Sequence, residues 1–143
     1  MAVDGAASSS STIVTTTTEK LEEPALIKTY MRAILEPDEE RVLSLFTTDG
    51  YLREPSGSRY KHIGSQERKA FYNSALRTGG ITLHHATATF DGKSFAVEYV
   101  CDQWGKTTFA PQAGMAVYEF ADTDHLRAVR IYDDVTPPEQ AAS

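Results

Sequence analysis

The hydrophobic period of this chain changes at Gly79-Gly80. Before that pair apolar residues recur about every 3.6 positions, the spacing of a helix with one buried face; after it they alternate, the spacing of a half-buried strand. One such change confines the chain to helices followed by a sheet, an α+β domain with its helices on one face. Upstream, Pro24 suits the first turn of a helix, and Leu26, Ile27, Tyr30, Met31, Ile34 and Leu35 form its buried face. A second helix starts at Pro37, carries Asp38, Glu39 and Glu40 at its positively polarised end, turns Val42, Leu43, Leu45 and Phe46 inward, and is predicted to stop near Asp49-Gly50. Tyr51 to Glu54 reads as a brief strand because Pro55 holds its predecessor extended; Ser56-Gly57-Ser58 is turn chemistry, and Arg59 to Ile63 a second short strand. The third helix has Ser65 as predicted N-cap, Ala70, Phe71, Ser74, Ala75 and Leu76 on its packing side, and Thr78-Gly79-Gly80 as its end.

Downstream, four strands follow: Ile81 to Phe90, Ser94 to Trp104, Thr107 to Phe120 and Leu126 to Asp133. Asp91-Gly92 is a strong hairpin signal, and Gly105-Lys106 and Asp122-Thr123-Asp124 mark the other turns. Pro111 calls for an edge, a bulge or a bend in the third strand. Alternation places Phe95, Val97, Tyr99, Cys101 and Gln103 on the inward face of the second strand, and Ala96, Glu98, Val100, Asp102 and Trp104 on the outer one.

Composition narrows the function. A chain of 143 residues that is 41% hydrophobic and 24% charged describes one globular domain. Its net charge of −6 repels phosphate backbones, so no nucleic-acid partner is expected. No apolar run reaches the 18 or more residues of a spanning helix, so no membrane partner is expected either. Residues 1–21 hold nine Ser or Thr without a basic and apolar leader pattern and read as a disordered tail of a cytoplasmic protein; 22–136 form the folded unit and 137–143 a flexible end. The lone Cys101 makes no internal disulfide and reads as a small buried hydrophobe. Metal-ligand spacing is absent, so neither metal nor cofactor is expected.

The stretches LFTTDGYLREPSG, HIGSQERKAFYNSAL, FAVEYV and YEF…LRAVRIYDDV, in this order, resemble the cone-shaped fold shared by nuclear transport factor 2-like proteins, ketosteroid isomerases, limonene epoxide hydrolases and SnoaL-like polyketide cyclases. The resemblance covers residues 22–136. It implies a curved antiparallel (mixed) sheet wrapped around three N-terminal helices, an internal apolar pocket, and a homodimer through the outer face of the sheet. The candidate site looks most like that of ketosteroid isomerases. Glu54-Pro55 matches their catalytic carboxylate before a proline, with Glu in place of Asp. Tyr30, 24 positions earlier, matches their oxyanion-stabilising tyrosine, and Tyr72 its supporting tyrosine, one residue beyond strict register. Their second oxyanion donor, an aspartate, falls at Ala116. In limonene epoxide hydrolases the last strand bears an aspartate where this chain has Ile131.

The residues themselves support the same candidates. Glu54 shares a strand face with Leu52, and a carboxylate turned into an apolar cavity is suited to general-base work. Tyr30 lies on the apolar face of its helix, as a core aromatic or as a donor to a developing enolate oxygen. His84 and His85 are adjacent in a strand, so only one faces inward; His85 is the candidate acid or support for Glu54. Asp133 shares a face with Val129 and Ile131, and turned inward it would place two carboxylates in one cavity, allowing one acid and one base. The expected pocket lining is Leu52, Phe95, Val97, Tyr99, Cys101, Ala116, Val129 and Ile131. The leading reading is a cofactor-independent isomerase or cyclase that moves a proton on an apolar cyclic ketone. A non-catalytic ligand-binding or dimerisation module stays open, as does an epoxide hydrolase/cyclase of polyketide maturation using Asp133 with His84 or His85.

Overall fold

Helix α1 spans Ala25–Leu35 in the computed structural model, which describes residues 14–17, 22–55, 62–133 and 135. Its buried residues are Leu26, Ile27, Tyr30, Ala33 and Ile34. At about 100° per residue these five cluster on one side, and Leu35 falls nearly opposite their centre. Leu35 is accordingly 53% exposed, against its predicted burial, and Ala33 takes the inward place.

Helix α2, Glu39–Ser44, is shorter than its sequence pattern predicts. Asp38 caps it by accepting from the Arg41 backbone N–H at 3.1 Å, and the Ser44 hydroxyl donates back to the Arg41 carbonyl at 2.7 Å. The chain then enters strand β2, Phe46–Arg53, five residues earlier than predicted. Phe46 pairs with Leu126, and the Leu126 N–H donates to the Leu45 carbonyl at 2.7 Å, so cross-strand bonding available only in the folded sheet outweighs the local helical pattern. Strand β3 is described as His62–Ile63; the predicted turn at 56–58 and the start of that strand at 59–61 lie outside the described residues.

Helix α3, Ser65–Ala75, is entered through Gly64, whose φ of 102° only glycine adopts without strain, so Ser65 is its first helical residue and not its cap. Its buried residues are Arg68 and Tyr72, followed by Leu76, one stripe at four-residue spacing; the predicted packing residues Ala70 and Ser74 are exposed.

Strands β4 (Ile81–Phe90), β5 (Ser94–Trp104), β6 (Thr107–Phe120) and β7 (Leu126–Asp133) have the bounds that the alternating pattern predicts. One further strand, β1 (Val14–Thr17), pairs antiparallel with β4, from Val14 opposite Phe90 to Thr17 opposite Thr87. This segment falls within the stretch read as a disordered tail; its order comes from the open edge of β4 and not from a local signal. The rest of that tail and 136–143 lie outside the described residues. Among the described residues, counting the short edge strands, the sheet has seven strands in the order β1-β4-β5-β6-β7-β2-β3, with only β2 and β7 parallel. It is therefore a mixed sheet with the three helices packed over it, an α+β fold.

Register shifts occur at Thr82/Leu83, His85/Thr87, Cys101/Gln103 and Glu119/Phe120. Each interrupts the regular ladder and bends the sheet. The shift at Cys101/Gln103 leaves residues 109–111 of β6 outside the pairing, which accommodates Pro111 as a bulge.

Candidate active site

A cavity of about 280 Å³ opens between the helices and the inner face of the sheet. Its helical wall includes Tyr30 and Ile34 from α1 and Phe71, Tyr72 and Ala75 from α3; its sheet wall includes Tyr99, Cys101, Ala116, Tyr118, Ile131 and Asp133; Glu54, Pro55 and Val135 also line it. Glu54, Tyr30, Tyr72 and Asp133, singled out from the sequence, thus border one space.

The helical wall carries a phenol pair. Tyr30 and Tyr72, 3% and 2% exposed, share a hydrogen bond of 2.7 Å between their hydroxyls, with rings 76° apart and centroids separated by 6.3 Å. Tyr118 packs edge-on against Tyr30 at 5.1 Å. Burial pushes the Tyr30 hydroxyl far above its ordinary ionisation range, and neighbouring Tyr72 adds to the effect. Burial raises Tyr72 as well, although the bond from Tyr30 and the Arg68 guanidinium act the other way. Both phenols therefore stay protonated. In such a pair one hydroxyl donates to the other, and the acceptor keeps a proton that it can donate to a ligand oxygen.

The sheet wall carries a second pair. The Tyr99 hydroxyl donates to Asp133 Oδ2, and the Val135 N–H donates to Asp133 Oδ1 at 3.2 Å. Burial, then the bond to Asp133, holds the Tyr99 phenol well above its ordinary value, so it remains a donor. Cross-strand register sets Tyr99, Gly114 and Asp133 in one row. Cys101 also lines the cavity, where burial raises its thiol and keeps it in the unreactive neutral form.

Several predicted residues sit elsewhere. Leu52, Phe95, Val97 and Val129 face inward as alternation requires, but they are at most 1% exposed and pack in the core under the helices without bordering the cavity. His85 is the inward histidine, with His84 exposed and 3.1 Å from Asp102. His85 does not reach the cavity: its Nδ1 lies 2.5 Å from Glu23 Oε2, and its ring packs against Phe95 at 6.4 Å. Its imidazole meets the chain segment ahead of α1 instead. Gln103 is exposed and Trp104 lines the cavity, the reverse of the predicted faces, because the register shift at Cys101/Gln103 adds a residue before them. The Trp104 indole donates to the Ala75 carbonyl at 2.8 Å and closes the wall against α3.

Two residues that matter here escaped the sequence reading. A glycine inside a strand signals close approach of another group, and Gly114 is that signal. Arg68, 4% exposed, donates to the Gly50 carbonyl at 2.5 Å and to Thr47 at 3.4 Å, tying α3 to β2. Nothing in its sequence context marks it as buried.

Among the described residues no group of three or more His, Cys, Asp or Glu is placed to hold a metal ion, and no helix is long and apolar enough to cross a membrane.

Helices over a mixed sheet, with a cavity between them, define the nuclear transport factor 2/SnoaL-like fold, and this chain has it. Solved structures agree. It is similar to a provisionally named polyketide cyclase from Sinorhizobium meliloti, with 16% identity, coverage of 76% of this chain and 94% of that one, and a TM-score of 0.63. A provisionally named ketosteroid isomerase from Kribbella flavida shares 18% identity over 79% of this chain and 78% of its own, TM-score 0.61. SalBIII, an epoxide hydrolase/cyclase-like enzyme in pyran ring formation in the polyether salinomycin, shares 17% identity over 78% and 90%, TM-score 0.63. At such identities the likeness is one of fold. Comparison by sequence matched no family model and no curated protein.

Proposed function

We propose that this chain is a cofactor-independent small-molecule isomerase or cyclase acting on an apolar ring ketone. The observation that carries the reading is the hydrogen-bonded Tyr30–Tyr72 pair bordering the same cavity as Glu54. Glu54 removes a proton from the carbon between a carbonyl and a double bond. The electron pair moves onto the carbonyl oxygen, the phenol pair donates a hydrogen bond to the resulting enolate, and Glu54 returns the proton at the far end of the allylic system. Neither redox equivalents nor a metal is needed for this balance. A volume of about 280 Å³ lies at the lower end of ligand pockets, roughly 300–1,000 Å³, and suits one- or two-ring ketones better than larger frameworks. Ala116 supplies no second carboxyl donor, so oxyanion stabilisation rests on the phenols.

The test is isomerisation of a β,γ-unsaturated bicyclic ketone in deuterated water, followed by the absorbance of the conjugated product and by label incorporation. Glu54→Gln is expected to lower the rate by ~10²–10⁴-fold. Equal rates for wild type and variant would remove Glu54 from the mechanism; the absence of turnover in both would leave a ligand-binding module.

The same reading includes a homodimer through the outer face of β6 and β7, where Met115 and Tyr132 stand opposite each other, 36% and 41% exposed. Sedimentation at micromolar concentration checks it: a monomer contradicts the proposal.

A further inference from the structure

Gly114 sits between Tyr99 on β5 and Asp133 on β7 in a continuous cross-strand row. Its φ is not in the left-handed region, so glycine is not there for backbone conformation. It is there for space: a Cβ at this position would lie 2.4 Å from Asp133 Cβ and 2.9 Å from Tyr99 Cε1. Because that space is open, the Tyr99 hydroxyl reaches across β6 to Asp133. Both residues border the cavity.

The two pairs therefore differ in hydrogen-bonding character. The phenol pair on the helical wall holds one proton more than its mutual bond uses, and it is a donor. On the sheet wall the single Tyr99 proton is committed to Asp133 Oδ2, so the couple presents oxygen lone pairs to the cavity. A phenol donating to a carboxylate is also polarised into a better acceptor at its own oxygen. A plain ketone offers this couple nothing, because its carbonyl is itself an acceptor.

We infer that Tyr99 and Asp133, spaced by Gly114, form an acceptor station that makes the cavity select ring ketones carrying a hydroxyl in addition to the carbonyl. The hydroxyl donates to the Tyr99–Asp133 couple while the carbonyl accepts from Tyr30–Tyr72, so the two stations set the orientation of the ring. This rests on the ketone reading above and adds the substrate class. Glu54 is a second carboxyl-bearing residue on the cavity wall, and the experiment separates it from the couple.

Calorimetric titration compares a two-ring ketone with the same ketone bearing one hydroxyl on its second ring. Wild-type protein is expected to bind the hydroxylated ligand about tenfold more tightly. The double variant Tyr99→Phe/Asp133→Val replaces both partners with apolar groups and leaves neither member of the couple orphaned, although the Val135 N–H loses its acceptor, so it protects the fold better than either single change. It is expected to lose the preference while retaining the plain ketone. Gly114→Ala is expected to reduce the preference to about two- to threefold, since the added methyl group separates the couple. Equal affinities in wild type overturn the inference. So does a preference that survives in the double variant, which would assign the hydroxyl to Glu54, and so does failure of both ligands to bind. If the preference holds but no isomerisation occurs, the station stands and only the catalytic reading fails.

Discussion

Tyr30 and Tyr72 share one bond between two hydroxyls, so their protons are not equivalent: one lies between the rings and the other is available to a ligand. If Tyr30 is the ligand-facing donor, Tyr30→Phe removes it outright, and kcat is expected to fall by ~10²–10³-fold. Tyr72→Phe leaves the Tyr30 proton in place but removes its support, so its loss is expected to be smaller, with KM little changed in both. Rates for the two variants check this, and a larger loss for Tyr72→Phe moves the donor role to that residue. At this scale the sequence was informative where a residue had a neighbour of known conformation. Pro55 pins Glu54 extended, and the helical stripe carries Tyr30 inward. It was silent where a side chain's destination depends on what lies across the sheet, as with His85, which turns inward and meets Glu23 instead of the cavity.

Among the elements, α3 and β2 depend on each other through Arg68. The bulged stretch between Phe46 and Tyr51 leaves carbonyls without ladder partners, and the Arg68 guanidinium supplies donors to Gly50 and Thr47 while stacking over the Phe46 ring at 5.1 Å. Burial lowers its ionisation from the ordinary value, yet at neutral pH it remains a cation. Arg68→Leu would leave those carbonyls unpaired at a cost of about 1.5–3 kcal/mol, the range for hydrogen bonds to a charged group. The expected outcome is a lower urea midpoint with an unchanged slope; an unchanged midpoint would mean that water replaces the guanidinium. Periodicity placed β4 to β7 to the residue but ran α2 too far. Helical spacing through Phe46 competes with strand pairing to Leu126, and only the assembled sheet decides between them.

For the molecule as a whole, four buried phenols, Tyr30, Tyr72, Tyr99 and Tyr118, set an alkaline limit. Each is raised above its ordinary value of 10.0, first of all by burial. A group whose ionisation is raised on folding stabilises the native state fully below its unfolded value and loses that contribution as pH climbs past it. Above pH about 10 the fold is therefore expected to weaken by about 1.4 kcal/mol per pH unit for each phenol still protonated only in the native state. Phenolate absorbance and loss of circular dichroism should rise together in one transition there, and Tyr118→Phe should make it shallower. Phenolate signal from these four without unfolding would show them open to solvent.

The sequence by itself determined the succession of helices and strands from α1 onward, most of the buried face of α1, the bounds of β4 to β7 and the hairpin turns, because these follow from periodicity and from residues with restricted backbones acting over a few positions. Tertiary structure decided where the phase of that pattern breaks. The bulge at Cys101/Gln103 exchanges the faces of Gln103 and Trp104, and the gap at Gly114 brings Tyr99 to Asp133. Apart from the bulge that Pro111 marks, a bulge depends on how neighbouring strands and helices pack, so its position is a property of the assembled sheet.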